Sequence, residues 1–583
     1  MKKYLISIIS LVIISMTLNG QIVDTAYFQL NYVPYLQNFE KINSQVTIID
    51  TVKEKVKFDY YITPQTLPIV FSPTPIAPQK LAAEPIQRLY RNFIKVGFGY
   101  PITPLAELAI HNGYNKSFSY GLNVHHFSSW APPIGKTMKQ YPYYPFSDTK
   151  THLFLTKIFK KQTLYSSIDY NHFARRYYGF KLNETADPNY YGGKEYADSL
   201  KTHFHHLNAT IGVRSNYTVE ERALKQDVQL NYNGIFTKYK DMENHIGLKS
   251  FFAFDERWMK ISGSQLYRLN LNFDYFNNQF GTKKDSIAPA NTFLLNPEIL
   301  ARWTFNEYHI LVGLGIGLGV QDETTQFLIY PLGEVKLGVI PHILSLYAGV
   351  DGTMELNSYQ KLLYENPFIK LHLNDLQFTK NWIHFYGGVK GNLIKKLNYN
   401  IFAQYTYAEN MLFFVRDTLS VIPNQFDVAY DKGGYLNVGL NVGWNVERNL
   451  NLDFYGNYWL YHLTKLKKPW YKPMLEFGFK GEYYFKELLI FNANFQLGFG
   501  YYEQVLDKTD PSIHTAKLMK PILDFGIGTE WLITKQFSAF VTINNIGCQY
   551  YAKYSDYKNM GINALIGVTY SFGEQNLKRS KRR

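Results

Sequence analysis

The chain has 583 residues, a formal net charge of +14 and a single cysteine, Cys548. Its 49 Tyr, 42 Phe and 8 Trp make it 17% aromatic, whereas charged residues are 19%, below the roughly 25% of a soluble domain. A mean hydropathy of −0.25 excludes a polytopic helical membrane protein, which needs several apolar runs of about 20 residues. The aromatic content disfavours disorder, and one cysteine excludes a disulfide framework. A large all-β protein remains, either a soluble solenoid or propeller or a membrane barrel.

Residues 1–20 have the anatomy of a secretory signal peptide. A short positive start precedes an apolar stretch from residue 5 to about 18, and cleavage after Gly20 would leave Gln21 first. The apolar stretch is short and has no stop-transfer flank, which disfavours a membrane anchor. No later run approaches the length of a spanning helix. The sequence therefore predicts an exported chain whose membrane part, if it has one, is β-structure.

Residues 21–91 form a separate proline-rich segment. Proline fixes φ and lacks a backbone donor, which favours an extended path over helix or sheet. A short apolar run at 46–49 is suited to one added strand. We expect this segment to lie in the periplasm or in the lumen of a barrel. It contains Pro64, Pro68, Pro73, Pro75, Pro78 and Pro85.

Residues 92–572 alternate between apolar and polar side chains over many stretches of ten or more residues. In 450–461 one face is Leu, Leu, Phe, Gly, Tyr and Leu, and the other is polar or aromatic. In 309–320 the glycines at 313, 315, 317 and 319 form the predicted inner face, opposite Val312, Leu314, Ile316 and Leu318. A soluble sandwich alternates too, but its strands average about five or six residues, whereas a tilted transmembrane strand needs about nine to eleven. The stretch predicts a transmembrane antiparallel β-barrel of about 20–22 strands.

Connection lengths support this prediction, because short turns alternate with longer irregular stretches, as periplasmic turns and extracellular loops do in outer-membrane barrels. The predicted short turns lie near 160–161, 306–307, 341–342, 395–396, 447–448, 486–487 and 534–535. The predicted long stretches are 129–150, 175–201, 279–291, 356–380, 408–428, 462–473, 505–517 and 554–561.

The last predicted strand, 562–572, ends in Phe572. It resembles the C-terminal strand of outer-membrane barrels, which ends in an aromatic residue read by the barrel-assembly machinery, although eleven residues follow Phe572 here. Residues 573–583 form a basic tail, which we interpret as a solvated terminus rather than a nucleic-acid site.

Three strings near the start of the predicted barrel carry a family resemblance. They are KLAAEPIQRLYRNFIKVGFGYPITPLAELAIHN, SFSYGLNVHHFSS and DYNHFARRYYGF. With the exported start, they make the chain similar to TonB-dependent-receptor-like barrels of Bacteroidota, in particular a plug-less subset. A receptor of that class has a plug of well over a hundred residues before its barrel, but only 71 residues, 21–91, are available here. The resemblance therefore implies a barrel without energy-coupled uptake.

A 22-strand barrel encloses a lumen too broad to leave open, so we expect the proline-rich segment, inward-folded loops or a partner protein to fill it. The leading hypothesis is a transport or porin-like outer-membrane barrel of unknown solute. The alternative is a structural or assembly subunit of an outer-membrane complex, possibly an accessory of the barrel-assembly machinery. Expected partners are lipid, lipopolysaccharide and envelope proteins, with no nucleic acid.

The sequence offers little chemistry. His203, His205 and His206 allow a metal site, but lumen or interface histidines are favoured, as they are for His125 and His126. Arg175-Arg176 is expected in a loop or polar lumen, and the loop holding Trp130, Tyr141, Tyr143 and Tyr144 is expected to pack in the lumen, contact a partner or glycan, or lie at the membrane interface. Hydrolase, zinc-protease and P-loop motifs are absent. We assign no catalytic, cofactor or metal residue and predict no enzyme; a lipid-modifying activity is the third hypothesis.

Overall fold

A computed structural model describes most of the chain from residue 89 onward. The described residues are 89–112, 117–130, 145–179, 200–217, 223–255, 264–281, 287–305, 308–341, 343–373, 375–394, 396–417, 424–447, 449–486, 488–506 and 514–575. The predicted signal peptide, most of the proline-rich segment and most of the basic tail lie outside these residues, as do Tyr141, Tyr143 and Tyr144.

Twenty-two antiparallel strands form one closed barrel. Neighbours in sequence are neighbours in the sheet, except that β19 pairs with β22. The barrel closes where β1 pairs with both β2 and β24, so no strand edge is left open. The remaining two strands, β20 and β21, form a separate hairpin. This architecture confirms the predicted all-β class and strand number.

The strands are long, as a barrel of transmembrane type requires. The first twelve are β1 (Leu89–Tyr100), β2 (Leu105–His111), β3 (Phe118–Ser129), β4 (Phe146–Ile158), β5 (Gln162–Arg176), β6 (Lys201–Ser215), β7 (Lys225–Thr237), β8 (Met242–Asp255), β9 (Ser264–Phe280), β10 (Ile287–Phe305), β11 (Tyr308–Gln321) and β12 (Thr324–Ile340). The others are β13 (Leu344–Leu356), β14 (Phe378–Ile394), β15 (Leu397–Asp417), β16 (Gln425–Glu447), β17 (Leu450–Leu463), β18 (Leu475–Phe485), β19 (Leu489–Phe499), β20 (Tyr502–Leu506), β21 (His514–Leu518), β22 (Ile522–Leu532), β23 (Phe537–Asn544) and β24 (Asn563–Gln575).

Apolar side chains cover the outside of the barrel. Ile299 on β10 and Ile566 on β24 are 68% and 63% exposed. On β11, Val312, Leu314 and Leu318 are exposed at alternate positions, which confirms the predicted outer face of that strand. Exposed apolar side chains recur in this way from strand to strand, which is the surface typical of a barrel surrounded by lipid.

The two ends of the barrel differ. Strand β1 begins and strand β24 ends at one of them, which we call the terminal end, and the opposite end is the loop end. Connections at the terminal end, such as 306–307 and 448–449, are mostly short. The loop end carries most of the long ones, which are 130–145, 177–200, 357–377, 464–474, 500–521 and 545–562.

Two predicted irregular stretches are wrong, because strands run through most of them. Strand β9 continues to Phe280 and β10 begins at Ile287, so 279–291 contains a short connection. Likewise, β15 and β16 pair over most of 408–428. A bulge between Ala408 and Met411 absorbs the polar residues there, with Asn410 at φ 56°. Beyond the bulge the pairing resumes at Met411, where β15 and β16 carry buried apolar residues into the loop end.

One described helix, α1 (Tyr359–Glu365), lies in the connection between β13 and β14. It has seven residues. Within the described ranges, no helix has the length and apolar character needed to span a membrane.

Candidate functional site

Long connections fold into the mouth of the barrel at the loop end and form a hydrophobic core there. We call it the mouth core. Its buried members come from five connections and from strand ends on opposite walls. Central to it are Tyr177, Tyr178, Tyr359, Leu362, Phe426, Trp470, Tyr471, Tyr554 and Tyr557, and the partly buried Phe368 packs against them.

Helix α1 is held at its N-terminus by the barrel wall. Ser358 is its N-cap and accepts a hydrogen bond from the Lys361 amide. The buried Glu243 carboxylate, on β8, accepts from the amides of Tyr359 and Gln360 at 2.8 and 3.1 Å. These bonds satisfy donors that a helix start leaves free, and they fix the first turn of the helix to β8.

A second carboxylate, Asp241, fixes the chain after α1. It accepts from the His372 amide at 3.1 Å and from the Gly281 amide at 3.1 Å. The Tyr359 hydroxyl lies 3.3 Å from the same group. Because Asp241 is buried, these bonds replace its hydration and tie two connections to the end of β8.

The connection 545–562 packs against the other side of α1. The Tyr554 hydroxyl donates to the carbonyl of Glu365 at 2.7 Å, and the Tyr557 hydroxyl donates to the carbonyl of Asn424 at 2.7 Å. The Tyr557 ring stacks on Phe368 with centroids 3.6 Å apart and planes 14° from parallel. Side-chain bonds therefore lock separate connections to one another.

These contacts cross the lumen. His206 on β6 bonds the Tyr364 hydroxyl of α1 at 2.6 Å, and α1 is bonded through Glu365 to Tyr554. In the same connection as Tyr554, the Tyr551 hydroxyl donates to Asp524 on β22 at 2.6 Å. Strands β6 and β22 lie eight strands apart by the shorter way around the barrel. The mouth core is thus a bridge between distant walls.

One charge cluster lies within this bridge. Glu365 pairs with Lys472 of the connection 464–474. Burial alone raises the pKa of Glu365, but Lys472 and Lys553 outweigh it, so the pKa lies below its ordinary value. Burial lowers the pKa of Lys553, which Glu365 partly opposes. The ionised Glu365 therefore joins three connections electrostatically.

Below the mouth core, toward the terminal end, the lumen wall is polar and divided in charge. Strands β6–β14 present a basic wall, and β17–β2 an acidic wall. The basic wall comprises Arg214, Lys225, Lys249, Arg268, Arg302, Lys336 and Lys390, with the carboxylates Asp227, Asp255, Asp274, Glu298, Glu334 and Asp351 among them. The acidic wall comprises Glu107, Asp453, Glu476, Glu482, Asp524 and Glu530, with Lys95 and Lys480 among them.

A cavity of about 540 Å³ opens on the basic wall. Lysine and amide side chains line it together with Arg214 and Phe251. The Arg214 guanidinium lies over the Tyr165 ring at 5.5 Å, and the Tyr165 hydroxyl donates to Asp227 at 2.7 Å. The cavity thus contains cations and one carboxylate that already has a partner.

The predicted histidine cluster is divided between two faces of β6. His206 points inward to α1, with Gln360 Nε2 3.0 Å from its ring nitrogen. His203 and His205 point outward, where their rings lie 6.0 and 4.7 Å from that of His172 on β5. No described trio of His, Cys, Asp or Glu is arranged to hold a metal ion.

The other candidate residues of the sequence analysis that the structure describes bond to neighbouring strands or lie exposed. His125 bonds Glu107 at 3.1 Å on the inside, whereas His126 bonds Thr149 at 2.8 Å on the outside. The Arg175 guanidinium forms a two-pronged ion pair with Asp148. Trp130 is 64% exposed at the loop end.

Sequence reasoning missed α1 and the residues that make the mouth core. The signal was present in YQKLLYENPF (359–368), where Tyr359, Leu362 and Leu363 are buried on one helical face. That spacing is the helical period, but it lies inside a stretch that the barrel pattern assigns to a loop.

Comparisons with known proteins identify the fold. No protein-family model matches the chain, and no curated protein matches it either. The chain is similar to the FrpB iron transporter from Neisseria meningitidis, at 12% identity and a TM-score of 0.61 over 84% of this chain and 82% of that one.

Two receptors give the same result. The pyoverdine outer membrane receptor FpvA from Pseudomonas aeruginosa matches at 11% identity and a TM-score of 0.62, over 83% of this chain and 78% of the other. The siderophore receptor PirA from Acinetobacter baumannii matches at 10% and 0.61, over 82% and 80%. At these identities the likeness establishes the fold alone, that of a large closed β-barrel.

Proposed function

We propose that the chain is an outer-membrane transport-type barrel whose passage is closed at the loop end by its own connections. The observation that carries this proposal is the mouth core, whose hydrogen bonds run from His206 on β6 to Asp524 on β22. A wide barrel needs such a closure. The receptor and transporter barrels that share the fold support the transport class.

The same proposal covers location and the absence of a plug. The apolar outer face supports contact with outer-membrane lipid and lipopolysaccharide, and the predicted signal peptide supports export. In this proposal the mouth core closes the lumen in place of a plug domain, so residues 21–88 need not fill it. The TonB-dependent-receptor-like resemblance and the affiliation with Bacteroidota belong to the proposal, which includes no catalytic activity. The proposal does not identify the solute.

Planar-bilayer conductance of the purified chain tests closure by the mouth core. The wild type should conduct little, whereas the double variant Phe368→Ala/Tyr557→Ala, which removes the stacked pair, should conduct in large steps. Trp130→Ala, which alters an exposed aromatic residue at the same end, is the matched control and should behave as wild type. A chain lacking residues 21–88 should remain closed.

Two results would contradict the proposal. If the double variant stays sealed while folded, the mouth core does not gate a passage. If deletion of 21–88 alone opens the barrel, the proline-rich segment is the plug.

The tight packing of the mouth core favours a second candidate, a permanently closed barrel with a structural or assembly role. Tyr557, Phe426 and Leu362 are as buried as residues of a soluble core. Native co-purification tests this candidate. A stoichiometric envelope partner together with a sealed double variant would support it, and a monomer that conducts would exclude it.

A further inference from the structure

We propose that the cavity on the basic wall is a binding subsite for small, multiply charged anions that carry phosphate or carboxylate groups. This inference rests on the proposed transport function and gives the lumen a solute class. The lining contributes Arg214 from β6, Lys225 from β7 and Lys249 from β8. Three strands thus bring cations to one cavity.

The strand register makes this grouping compact. Lys249 lies directly opposite Gln229 on β7 and Asn272 on β9, and Arg214 lies opposite Asp227. Directly opposite residues of an antiparallel pair have Cβ atoms about 4.5–5.5 Å apart. One solute can therefore reach an ammonium group and two amides at the same depth.

Three donor side chains in this cavity have no partner among the described residues. Lys249, Gln229 and Asn272 make no side-chain hydrogen bond or ion pair with any other residue that the structure describes. The one carboxylate in the lining, Asp227, accepts a hydrogen bond from the Tyr165 hydroxyl and lies opposite Arg214, so the lining has three cations against one anion. The available groups are thus the Lys249 ammonium and two amides, which match carboxylate and phosphate oxygens.

The size and position of the cavity also suit a solute. A volume of about 540 Å³ lies within the range of roughly 300–1,000 Å³ for ligand sites. Arg214 and Lys225 lie next to the connection between β6 and β7, at the terminal end, whereas the mouth core closes the other end. A solute would therefore meet this subsite on the side of the closure that faces the terminal end.

Calorimetric titration of the purified full chain in detergent with pyrophosphate tests the subsite. We expect saturable binding that weakens as NaCl is raised. Removing one charged hydrogen-bond donor costs roughly 1.5–3 kcal/mol, so Lys249→Gln and Arg214→Gln should each raise Kd by about ten- to a hundredfold. Lys480→Gln, which removes a lumen lysine from the acidic wall, is the matched control and should change Kd by less than about twofold.

Clear results would overturn this inference. Absence of saturable binding to the wild type, or an equal loss in Lys480→Gln, excludes the subsite. Heat-modifiable migration on a denaturing gel verifies that each variant is folded. Anion binding without any conductance in the opened double variant would contradict the transport function and leave the subsite intact. Conductance without pyrophosphate binding would contradict the subsite and leave the transport function intact.

Discussion

Replacing Tyr557 with alanine should release the mouth core while leaving the barrel intact. The ring is buried, stacks on Phe368 at 3.6 Å and donates to the Asn424 carbonyl at 2.7 Å. Removing a buried aromatic side chain costs about 3–5 kcal/mol. The strand ladders do not depend on this ring. The substitution should therefore lower the free energy needed to open the connections locally, without lowering the stability of the strands.

Hydrogen exchange measures that opening. A tenfold change in the exchange rate corresponds to about 1.4 kcal/mol of opening free energy. The loss of about 3–5 kcal/mol should therefore make the amides of α1 and of 368–371 exchange about a hundredfold to several thousandfold faster. Tyr557→Phe keeps the ring and loses only one hydrogen bond of about 1 kcal/mol, so acceleration should be roughly five- to tenfold. Trp130→Ala, the exposed control, should leave these rates unchanged.

The reasoning would be refuted by either of two patterns. Protection of α1 in Tyr557→Ala that stays within about threefold of wild type would mean that the connections do not depend on this ring. Equal acceleration in the strands β15 and β16 would mean that the mouth core and the barrel open as one unit.

Three further predictions concern the same connections. Glu243→Gln should turn an acceptor of two α1 amides into a partial donor and destabilise the helix by about 1–3 kcal/mol, seen as faster exchange in α1 with intact strands. The Glu365 carboxylate has a lowered pKa beside Lys472. Its contribution to the stability of the mouth core is therefore complete above the ordinary pKa of 4.5 and is lost as pH falls below that value. Proteolysis of the connections should rise in acid, and Glu365→Gln should remove that pH dependence. Gly179→Ala should loosen the mouth core, because Gly179 has φ +84° and an added Cβ would meet the Asp556 carbonyl oxygen at 2.4 Å; an unchanged proteolysis rate would contradict this.

The sequence was informative about the wall of the barrel. Period-two alternation assigns residues such as Leu314 and Ile566 to the outer face, and both are exposed there. The reason is physical, because each strand side chain has only two directions and lipid accepts only one class of surface. Strand ends were less predictable, as β15 and β16 show, because backbone pairing resumes after the polar residues Glu409 and Asn410 that interrupt the alternation.

The mouth core was beyond the reach of the sequence for a different reason. Glu243 and Tyr359 are 116 residues apart, and Tyr178 and Lys558 are 380 apart. A seven-residue helix is unstable alone, so α1 depends on contacts that no local pattern encodes. Its aromatic residues read equally well as interface residues of a surface loop.

The glycine face of β11 explains how the mouth core meets the wall. A Cβ at Gly315 would lie 2.1 Å from the Tyr330 ring, and one at Gly319 would lie 2.5 Å from Met354 and 2.8 Å from Phe378. Only glycine leaves room there for the large residues of β12, β13 and β14 to lean into the lumen. Tyr330, Met354 and Phe378 are themselves buried members of the mouth core. The mouth core therefore packs closely against the wall at this sector. In the proposed opening we expect the connections that lie away from β11 to move, chiefly 545–562.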